Sequence, residues 1–339
     1  MVPEPSDAER APAPQAVTDG PSRAHETATP DDAVAGGPAP DAGGSVAGAD
    51  AGADAVRLRL DLAYDGTDFH GWAAQPGLRT VQGELEAALA RVTRTLVTVT
   101  VAGRTDTGVH ARGQVVHLDL PREVVAALPG RSDRPAADSL LTRLTGVLPA
   151  DVVVRFAREV SADFDARFGA VSRRYRYRIS DGPAVHDPVR HDVLRHRRAL
   201  DVAAMARASA ALLGEHDFLS FCRPREGATT VRTLRELTWE RPGPGRRDEG
   251  LVVASVQADA FCHHMVRSLV GTMLAVGEGR RDEDWPRRVL AARTRSAARR
   301  DDVGAAPMAP PTGLTLEHVE YPPDHLLGAQ AQRTRARRA

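Results

Sequence analysis

The spacing of apolar residues becomes regular only at Val56, and from there it predicts alternating strands and helices. Apolar and polar residues alternate over positions 56–63, which is the pattern of a strand with one buried face. Thr80 then stands where the N-cap of a helix is expected. The apolar residues that follow it share one helical face: Val81, Leu85, Leu89 and Val92.

The rest of the chain continues this succession of elements. Further strands are predicted at 97–101, 114–120, 152–160 and 174–180, with a helix at 140–148 and another that starts after Asp201 and runs to about Leu213. Strands at 234–240 and 251–259 flank a Pro/Gly turn and form a predicted hairpin. A buried helix is expected at 265–274 and a last strand at 314–321.

These elements predict an α+β fold with a mixed or mainly antiparallel sheet, because helices separate the strands and at least one hairpin is present. We divide the chain into an extension (1–55), an N-terminal α+β half with a candidate catalytic loop (56–160), a C-terminal α+β half (161–325) and an Arg-rich tail (326–339). The extension is rich in Ala, Gly, Pro and Asp and is predicted to be disordered, because it holds too few large apolar residues to form a core. The tail is expected to be loose from Arg333 onward.

The formal net charge of zero hides an uneven distribution along the chain. Residues 1–55 contain 10 acidic residues and 2 arginines, whereas the remainder contains 35 acidic residues and 43 arginines, a net charge of +8. A basic folded part is expected of a protein that binds a polyanion, although a basic surface can also simply be solvated.

Several classes of protein find no support in the sequence. No apolar run approaches the roughly 20 residues of a membrane span, and the N-terminus lacks the order of a secretory signal, so we expect a cytoplasmic protein without membrane contact. Cys222 and Cys262 are predicted to be buried thiols, because they match neither a disulfide framework nor a zinc-site spacing. The sequence has no glycine-rich phosphate loop, so no nucleotide cofactor is expected.

The densest group of unusual residues is the segment 102–113, which reads AGRTDTGVHARG. Its glycines permit a close backbone approach, and Asp106 stands between two threonines with Arg104 and Arg112 on either side. Nearby positive charge and hydrogen bonds favour an ionised carboxylate, which can act as a nucleophile. Two other interpretations remain open from these residues alone. In the first, Asp106 merely closes an Asx-turn between two strands and has no chemical role. In the second, Asp106-Thr107-Gly108 is the active-site tripeptide of an aspartic protease.

The full segment Gly-Arg-Thr-Asp-x-Gly-Val-His-Ala-x-Gly-Gln-Val resembles the signature loop of the TruA family of pseudouridine synthases. Other segments resemble the same family in the same order, so that the likeness extends from about Val56 to Tyr321. These segments are YDGTDFHGW at 64–72, TVQ at 80–82, FDARF at 164–168, RRYRY at 173–177 and AFCHHMVR at 260–267. The sequence departs from the family at Ala73, at Thr145 and in a proline-rich stretch at 307–311.

The resemblance implies a role for individual residues. Asp106 would be the essential carboxylate that breaks the N1–C1′ glycosidic bond and lets C5–C1′ form. Arg267 would pair with this carboxylate, and Tyr175 would stack on the target base, whereas Tyr177 is assigned to the core. Contacts with the RNA are expected from Tyr175, Arg104, His110, Arg112, His263 and His264. Because His263 and His264 are adjacent rather than three or four residues apart, they should not share a helix face as metal ligands do, and no metal is predicted.

The resemblance also implies a fold and a substrate. The fold would be two similar α+β halves that share a mixed, mainly antiparallel central sheet flanked by helices. The reaction would convert uridine to pseudouridine at positions 38–40 of the anticodon stem-loop of tRNA, by a homodimer and without a cofactor, because the isomerisation involves no redox change. One alternative is a non-catalytic tRNA-binding protein with the same fold. A second is a glycoside hydrolase, which would need a pair of carboxylates, whereas only one stands out here.

Overall fold

A computed structural model describes residues 54–182, 187–224, 227–294 and 303–338. The chain divides into units of 1–47 and 48–339, and every described residue belongs to the second unit. The extension predicted to be disordered, 1–55, therefore lies almost entirely outside the described residues.

Ten strands form one mixed sheet in the described residues. They are β1 (Ala55–Tyr64), β2 (Thr100–Val101), β3 (His110–Pro121), β4 (Val152–Val160), β5 (Ser172–Asp181), β6 (Leu194–His196), β7 (Gly214–Asp217), β8 (Val231–Glu240), β9 (Val252–Ala258) and β10 (Leu314–Glu320). The order across the sheet is β4-β1-β3-β10-β5-β9-β8-β7, with β2 paired to β3 and β6 to β5. The pairs β3–β10 and β5–β6 are parallel and the others are antiparallel.

Seven α-helices flank this sheet within the same described ranges. They are α1 (Val81–Thr93), α2 (Arg122–Ala127), α3 (Ala136–Thr145), α4 (Val202–Ser209), α5 (Met265–Gly277), α6 (Trp285–Ala291) and α7 (Leu327–Arg338). Helix α3 packs on β4 and on α1, while α4 packs on α5 and β8. The predicted α+β class with a mainly antiparallel mixed sheet is therefore confirmed. None of the described helices is long and apolar enough to cross a membrane.

The core follows the apolar periodicity seen in the sequence. In β1 the side chains of Leu58, Leu60 and Leu62 are fully buried, and each contributes about 1.5–3 kcal/mol by leaving water. Helix α1 begins where predicted, because the Thr80 hydroxyl accepts a hydrogen bond from the Gly83 N–H at 3.2 Å. Helix α5 is buried along almost its whole length and therefore lies inside the molecule.

Strand β3 starts earlier than the sequence indicated. It begins at His110 rather than at 114, because β10 pairs with its first residues in parallel, Thr315 opposite His110. The predicted strand at 97–101 is reduced to β2, and the helix predicted at 140–148 is shifted toward the N-terminus as α3. Where a strand begins and ends depends on hydrogen-bond partners that are distant in the sequence. The local pattern of apolar and polar residues does not reveal those partners.

The C-terminal tail is also different from the expectation of a loose segment from Arg333. Helix α7 spans Leu327–Arg338, with Leu327 and Ala331 buried. Arg335 donates to an Asp165 carboxylate oxygen at 2.6 Å and stacks over the ring of Phe168. The expectation was wrong because apolar residues four apart and an ion pair attach this segment to the body.

Candidate active site

Asp106 lies in a tight turn between β2 and β3, beside the parallel junction of β3 with β10. The Val109 N–H donates to the Asp106 carbonyl oxygen at 3.1 Å, which closes the turn. Gly108 adopts φ +74°, a conformation that glycine reaches without strain. The Asp106 side chain keeps 24% of its surface exposed, so a ligand can reach its carboxylate.

The turn after β1 packs directly against this loop. The backbone N–H of Trp72 donates to the Thr105 carbonyl oxygen at 3.0 Å. The backbone N–H of Gly108 donates to the Phe69 carbonyl oxygen at 3.3 Å. Gly71 has φ +89°, and a Cβ there would lie 3.0 Å from the Thr105 oxygen. The segment 64–72 therefore supports the Asp106 loop, which explains why the two sequence motifs occur together.

Buried hydrogen bonds hold the start of the loop. Gln114 donates through Nε2 to the Gly103 carbonyl oxygen at 2.7 Å and to the Tyr64 hydroxyl at 3.2 Å. The Tyr64 and Thr105 hydroxyls lie 2.8 Å apart. Burial raises the pKa of Tyr64 to about 12 despite these hydrogen bonds, so Tyr64 remains a neutral phenol.

Three basic side chains surround the Asp106 carboxylate. His263 Nε2 lies 3.4 Å from Oδ1, while His264 Nε2 and Arg267 Nη1 lie 3.7 Å and 3.6 Å from Oδ2. Burial alone would raise the pKa of Asp106, but the hydrogen bond and charge of His263, with the charges of His264 and Arg267, lower it below its ordinary value. The carboxylate is therefore ionised at neutral pH.

The two adjacent histidines point to the same place, contrary to the expectation that they would diverge. They precede α5 rather than lying within it, and His264 adopts the left-handed conformation, φ +68°. Their ring centroids are 3.8 Å apart. Because this local turn replaces helical geometry, residues one apart in the sequence both reach Asp106.

The histidine-bearing turn is attached to the segment that follows β7. The Arg223 N–H donates to the His263 carbonyl oxygen at 3.0 Å. Cys222 and Cys262 form a disulfide, with their Cα atoms 5.7 Å apart, so the prediction of two buried thiols was wrong. The fold brings two residues with no recognisable spacing within bridging distance, and sequence spacing alone gives no sign of this.

The proline-rich stretch at 307–311 braces Arg267. The Arg267 Nε donates to the Ala309 carbonyl oxygen, and the Ala309 N–H donates to the Arg267 carbonyl oxygen, at 2.8 and 2.9 Å. A Cβ on Gly271 would lie 2.3 Å from the Pro307 oxygen, and one on Gly108 would lie 2.9 Å from Pro311. The stretch thus contacts both α5 and the Asp106 loop.

Tyr175 and Tyr177 lie on β5 at the centre of the sheet. Tyr175 is 7% exposed and meets the Phe261 ring edge-on at 5.3 Å. Burial raises the pKa of Tyr175, and the negative charge of Asp106 contributes to the rise, so its hydroxyl is a neutral phenol. Tyr177 is fully buried and donates to the Pro310 carbonyl oxygen at 2.7 Å, as expected of a core residue.

The other predicted RNA-contacting residues lie in different surroundings. Arg104 is exposed beside Asp106. Arg112 is paired to an Asp192 carboxylate oxygen at 2.9 Å. His110 is buried, and burial lowers its pKa. Neutral His110 accepts from the Gly66 N–H at Nδ1 and donates from Nε2 to the Thr312 carbonyl oxygen, both at 3.1 Å. The structure thus brings His263, His264 and Arg267 to Asp106, whereas it places His110 and Arg112 among protein groups.

Sequence reasoning gave Arg173 no role, yet this buried residue connects the parts of the site. Its guanidinium donates to the carbonyl oxygens of Ala102, Arg167 and Asp259, at 2.8, 2.7 and 2.8 Å. Ala102 starts the Asp106 loop, and Asp259 directly follows β9, just before the histidine-bearing turn. The only sign in the sequence was the position of Arg173 on a predicted strand, two residues before Tyr175. Side chains two apart share one face of a strand, so Arg173 points the same way as the buried tyrosines.

A cavity elsewhere on the surface is less suited to RNA. It encloses about 640 Å³ at the C-terminal end of α5. Its charged lining is mostly acidic: Asp201, Glu278, Asp282 and Glu283, with Arg281 as the basic residue. Such a lining repels a polyanion, which leaves the surroundings of Asp106 as the better candidate site.

Comparisons with known proteins identify the family of the chain. A model of the tRNA pseudouridine synthase family matches residues 62–168 and 208–322. A protein named tRNA pseudouridine synthase A from Streptomyces griseus subsp. griseus is 53% identical over 283 residues, which cover 83% of this chain and 93% of the relative. A protein of the same name from Frankia casuarinae is 54% identical over 283 residues, which cover 83% of this chain and 95% of the relative. A protein of the same name from Leifsonia xyli subsp. xyli is 48% identical over 298 residues, covering 84% and 98%.

The mixed sheet and these matches define the class as a pseudouridine synthase, an isomerase that acts on uridine in RNA. The matched ranges include Asp106, His263, His264 and Arg267, while Tyr175 falls between them. The chain belongs to the tRNA pseudouridine synthase family. The resemblance inferred from the sequence motifs is thereby confirmed.

Proposed function

We propose that this protein converts uridine to pseudouridine at positions 38–40 in the anticodon stem-loop of tRNA, with Asp106 as the essential carboxylate. The observation that carries the proposal is an accessible, ionised carboxylate surrounded by His263, His264 and Arg267, in a chain that belongs to the family. These basic groups stabilise the negative charge of the carboxylate.

The reaction moves C1′ of the ribose from N1 to C5 of the uracil. The N1–C1′ bond breaks, the base turns within the site, C5–C1′ forms, and the proton lost from C5 is balanced by one gained at N1. Asp106 is the anionic group within reach of the reacting nucleoside in this scheme. Tyr175, a neutral phenol, is assigned to stacking on the base rather than to unaided proton abstraction.

A base within a stem is out of reach of the Asp106 carboxylate, so the target nucleotide must leave the helical stack, at a cost of a few kcal/mol. The net charge of +8 in residues 56–339 supplies attraction to phosphate that offsets this cost. We assign Arg104, exposed in the loop itself, to a phosphate near the target. Arg112 and His110 are assigned to positioning the loop, because both engage protein groups.

Two further parts of the proposal concern assembly and location. We infer a homodimer that binds one tRNA across both subunits and works in the cytoplasm, as the resemblance to the family implies. Light scattering coupled to size exclusion, with and without tRNA, measures the assembly directly. A protein that remains a monomer at assay concentrations would contradict the dimer.

The deciding experiment compares the wild type with Asp106→Asn on unmodified tRNA transcripts. Pseudouridine is mapped in the anticodon arm, and tRNA affinity is measured in parallel. Wild type should modify positions 38–40, whereas Asp106→Asn should bind tRNA with similar affinity and form no detectable pseudouridine. Asp68→Asn, in the neighbouring turn and exposed, is the matched control and should retain activity.

Each outcome separates the proposal from its alternative. Binding of tRNA by the wild type without any change in the uridines would favour the non-catalytic RNA-binding protein. Equal product from Asp106→Asn and the wild type would show that this carboxylate is not essential.

A further inference from the structure

Two of the basic groups around Asp106, His263 and His264, are also ligand types for a metal ion. One carboxylate oxygen of Asp106 and one ring nitrogen from each of His263 and His264 all lie within 4.8 Å of one another. Each residue is partly buried and offers one atom that can bind a metal ion. Two imidazole nitrogens and one carboxylate oxygen make up the ligand set of several catalytic zinc sites.

The spacing suits a tetrahedral ion. With metal–ligand bonds of about 2.1 Å, neighbouring ligands of a tetrahedral Zn²⁺ lie about 3.4 Å apart. The distance from His263 Nε2 to Asp106 Oδ1 is 3.4 Å and that from His264 Nε2 to Asp106 Oδ2 is 3.7 Å, both close to this value. They end on different carboxylate oxygens, so a rotation of the carboxylate brings one oxygen to the ion. The left-handed backbone at His264 leaves the two ring centroids only 3.8 Å apart, so both imidazoles are already beside the carboxylate.

We propose that Asp106, His263 and His264 bind a divalent transition-metal ion, with Zn²⁺ as the best fit, and that the bound ion blocks the site. Three protein ligands leave a fourth position for water. Because the ion occupies the carboxylate that faces the uridine, binding and catalysis exclude each other. The site is therefore a place for reversible inhibition and not for a catalytic cofactor.

The ligand types also decide which ions bind. Imidazole suits Zn²⁺, Ni²⁺, Cu²⁺ and Co²⁺, whereas Mg²⁺ and Ca²⁺ prefer oxygen ligands. The Mg²⁺ that accompanies folded tRNA should therefore not compete. Arg267 opposes a cation, because its Nη1 lies 3.6 Å from Asp106 Oδ2. Removal of that charge should tighten metal binding, whereas loss of any ligand should weaken it.

The binding test uses untagged, full-length protein freed of metal by a chelator. Calorimetric titration with Zn²⁺, and the visible absorption of tetrahedral Co²⁺, should show one ion per chain for the wild type. Asp106→Asn, His263→Ala and His264→Ala should each weaken binding at least about tenfold, and Arg267→Gln should strengthen it. His318→Ala, an exposed histidine on β10, is the matched control and should bind like the wild type.

Stoichiometric binding that all three ligand variants retain, or no binding by the wild type, would overturn the proposal. No gain in Arg267→Gln would argue against an ion at Asp106. Circular dichroism establishes that each variant is folded, and the partly exposed positions of these residues make folding expected.

The inhibitory consequence rests on the proposed function, whereas metal binding does not. Pseudouridine formation should fall as Zn²⁺ saturates the site and return when a chelator is added, and Mg²⁺ should have no such effect. Full activity at saturating Zn²⁺ would refute inhibition. If the ion binds as described but the apo-protein modifies no tRNA, the proposed function fails and the metal site stands.

Discussion

Arg173 provides a quantitative test of how the site is held together. Its buried guanidinium donates to the carbonyl oxygens of Ala102, Arg167 and Asp259 at 2.7–2.8 Å, with a longer contact to Ala170 at 3.5 Å. Ala102 and Asp259 belong to segments distant from Arg173 in the sequence, whereas Arg167 and Ala170 lie just before β5. Arg173→Met preserves the length of the side chain but removes every donor, so we expect loss of both stability and catalytic rate.

The magnitude follows from the three short hydrogen bonds. A buried acceptor left without a partner costs about 1–3 kcal/mol, which gives at most roughly 3–9 kcal/mol for three. The Arg167 and Asp259 bonds are only partly buried, so water can replace them and the sum lies toward the lower end of this range. Removing a charge that burial disfavours offsets part of this cost, and burial indeed lowers the pKa of Arg173. We therefore expect a net loss of about 3–5 kcal/mol in the free energy of unfolding, a large part of the 5–15 kcal/mol typical of a domain.

The measurement is urea unfolding followed by tryptophan fluorescence, with Arg174→Met as the matched control. Arg174 is the next residue on β5, its side chain is 47% exposed, and it donates to Gln257 Oε1. Its replacement should change the free energy of unfolding by no more than about 0.5 kcal/mol. The reasoning is refuted if the two variants lose equal stability.

Activity gives the second half of this test. At a temperature where Arg173→Met is folded, kcat should fall more than tRNA affinity, because the Asp106 loop and the histidine-bearing turn lose their shared anchor. An unchanged kcat in a destabilised variant would show that Arg173 supports the fold without positioning the site.

Three further predictions concern neighbouring parts of the molecule. Gly271→Ala should displace the 307–309 backbone, because the new Cβ would lie 2.3 Å from the Pro307 oxygen. It should lower kcat and reduce the free energy of unfolding by about 1–3 kcal/mol. Gly243→Ala, where the new Cβ would have nothing within 4 Å, is the control and should leave kcat and thermal stability unchanged. Burial raises the pKa of Asp65, but hydrogen bonds from Thr67 and His191 lower it to about 2, below the ordinary 3.8. The stabilisation from Asp65 is therefore present above pH 3.8 and lost as the pH falls toward 2. In urea unfolding measured at several pH values, Asp65→Asn should make the free energy of unfolding decline less steeply across that window. An unchanged slope would contradict the assignment. Tyr175→Phe should keep most of the single-turnover rate and Tyr175→Ala should lose it, because stacking uses the ring; equal loss in both would point to the hydroxyl instead.

Local pattern was sufficient to predict most of the regular structure. The alternation in β1, the Thr80 cap of α1 and the apolar face of α5 depend on neighbours in the sequence, so each was predicted close to its observed position. The Asp106 loop was also evident, because its glycines, hydroxyls and charges are consecutive residues. These features identified the family before any contact was known.

The resemblance implied that Arg267 pairs with Asp106, but only the tertiary structure decided what else surrounds the carboxylate. His263, His264 and Arg267 reach Asp106 from a segment far along the chain, and the left-handed turn at His264 has no signature in the sequence. The parallel pairing of β3 with β10, the carbonyls bound by Arg173 and the docking of α7 likewise depend on residues distant in the sequence. Sequence periodicity reports which face of an element is buried, whereas the partner that covers that face is chosen by packing of the whole chain.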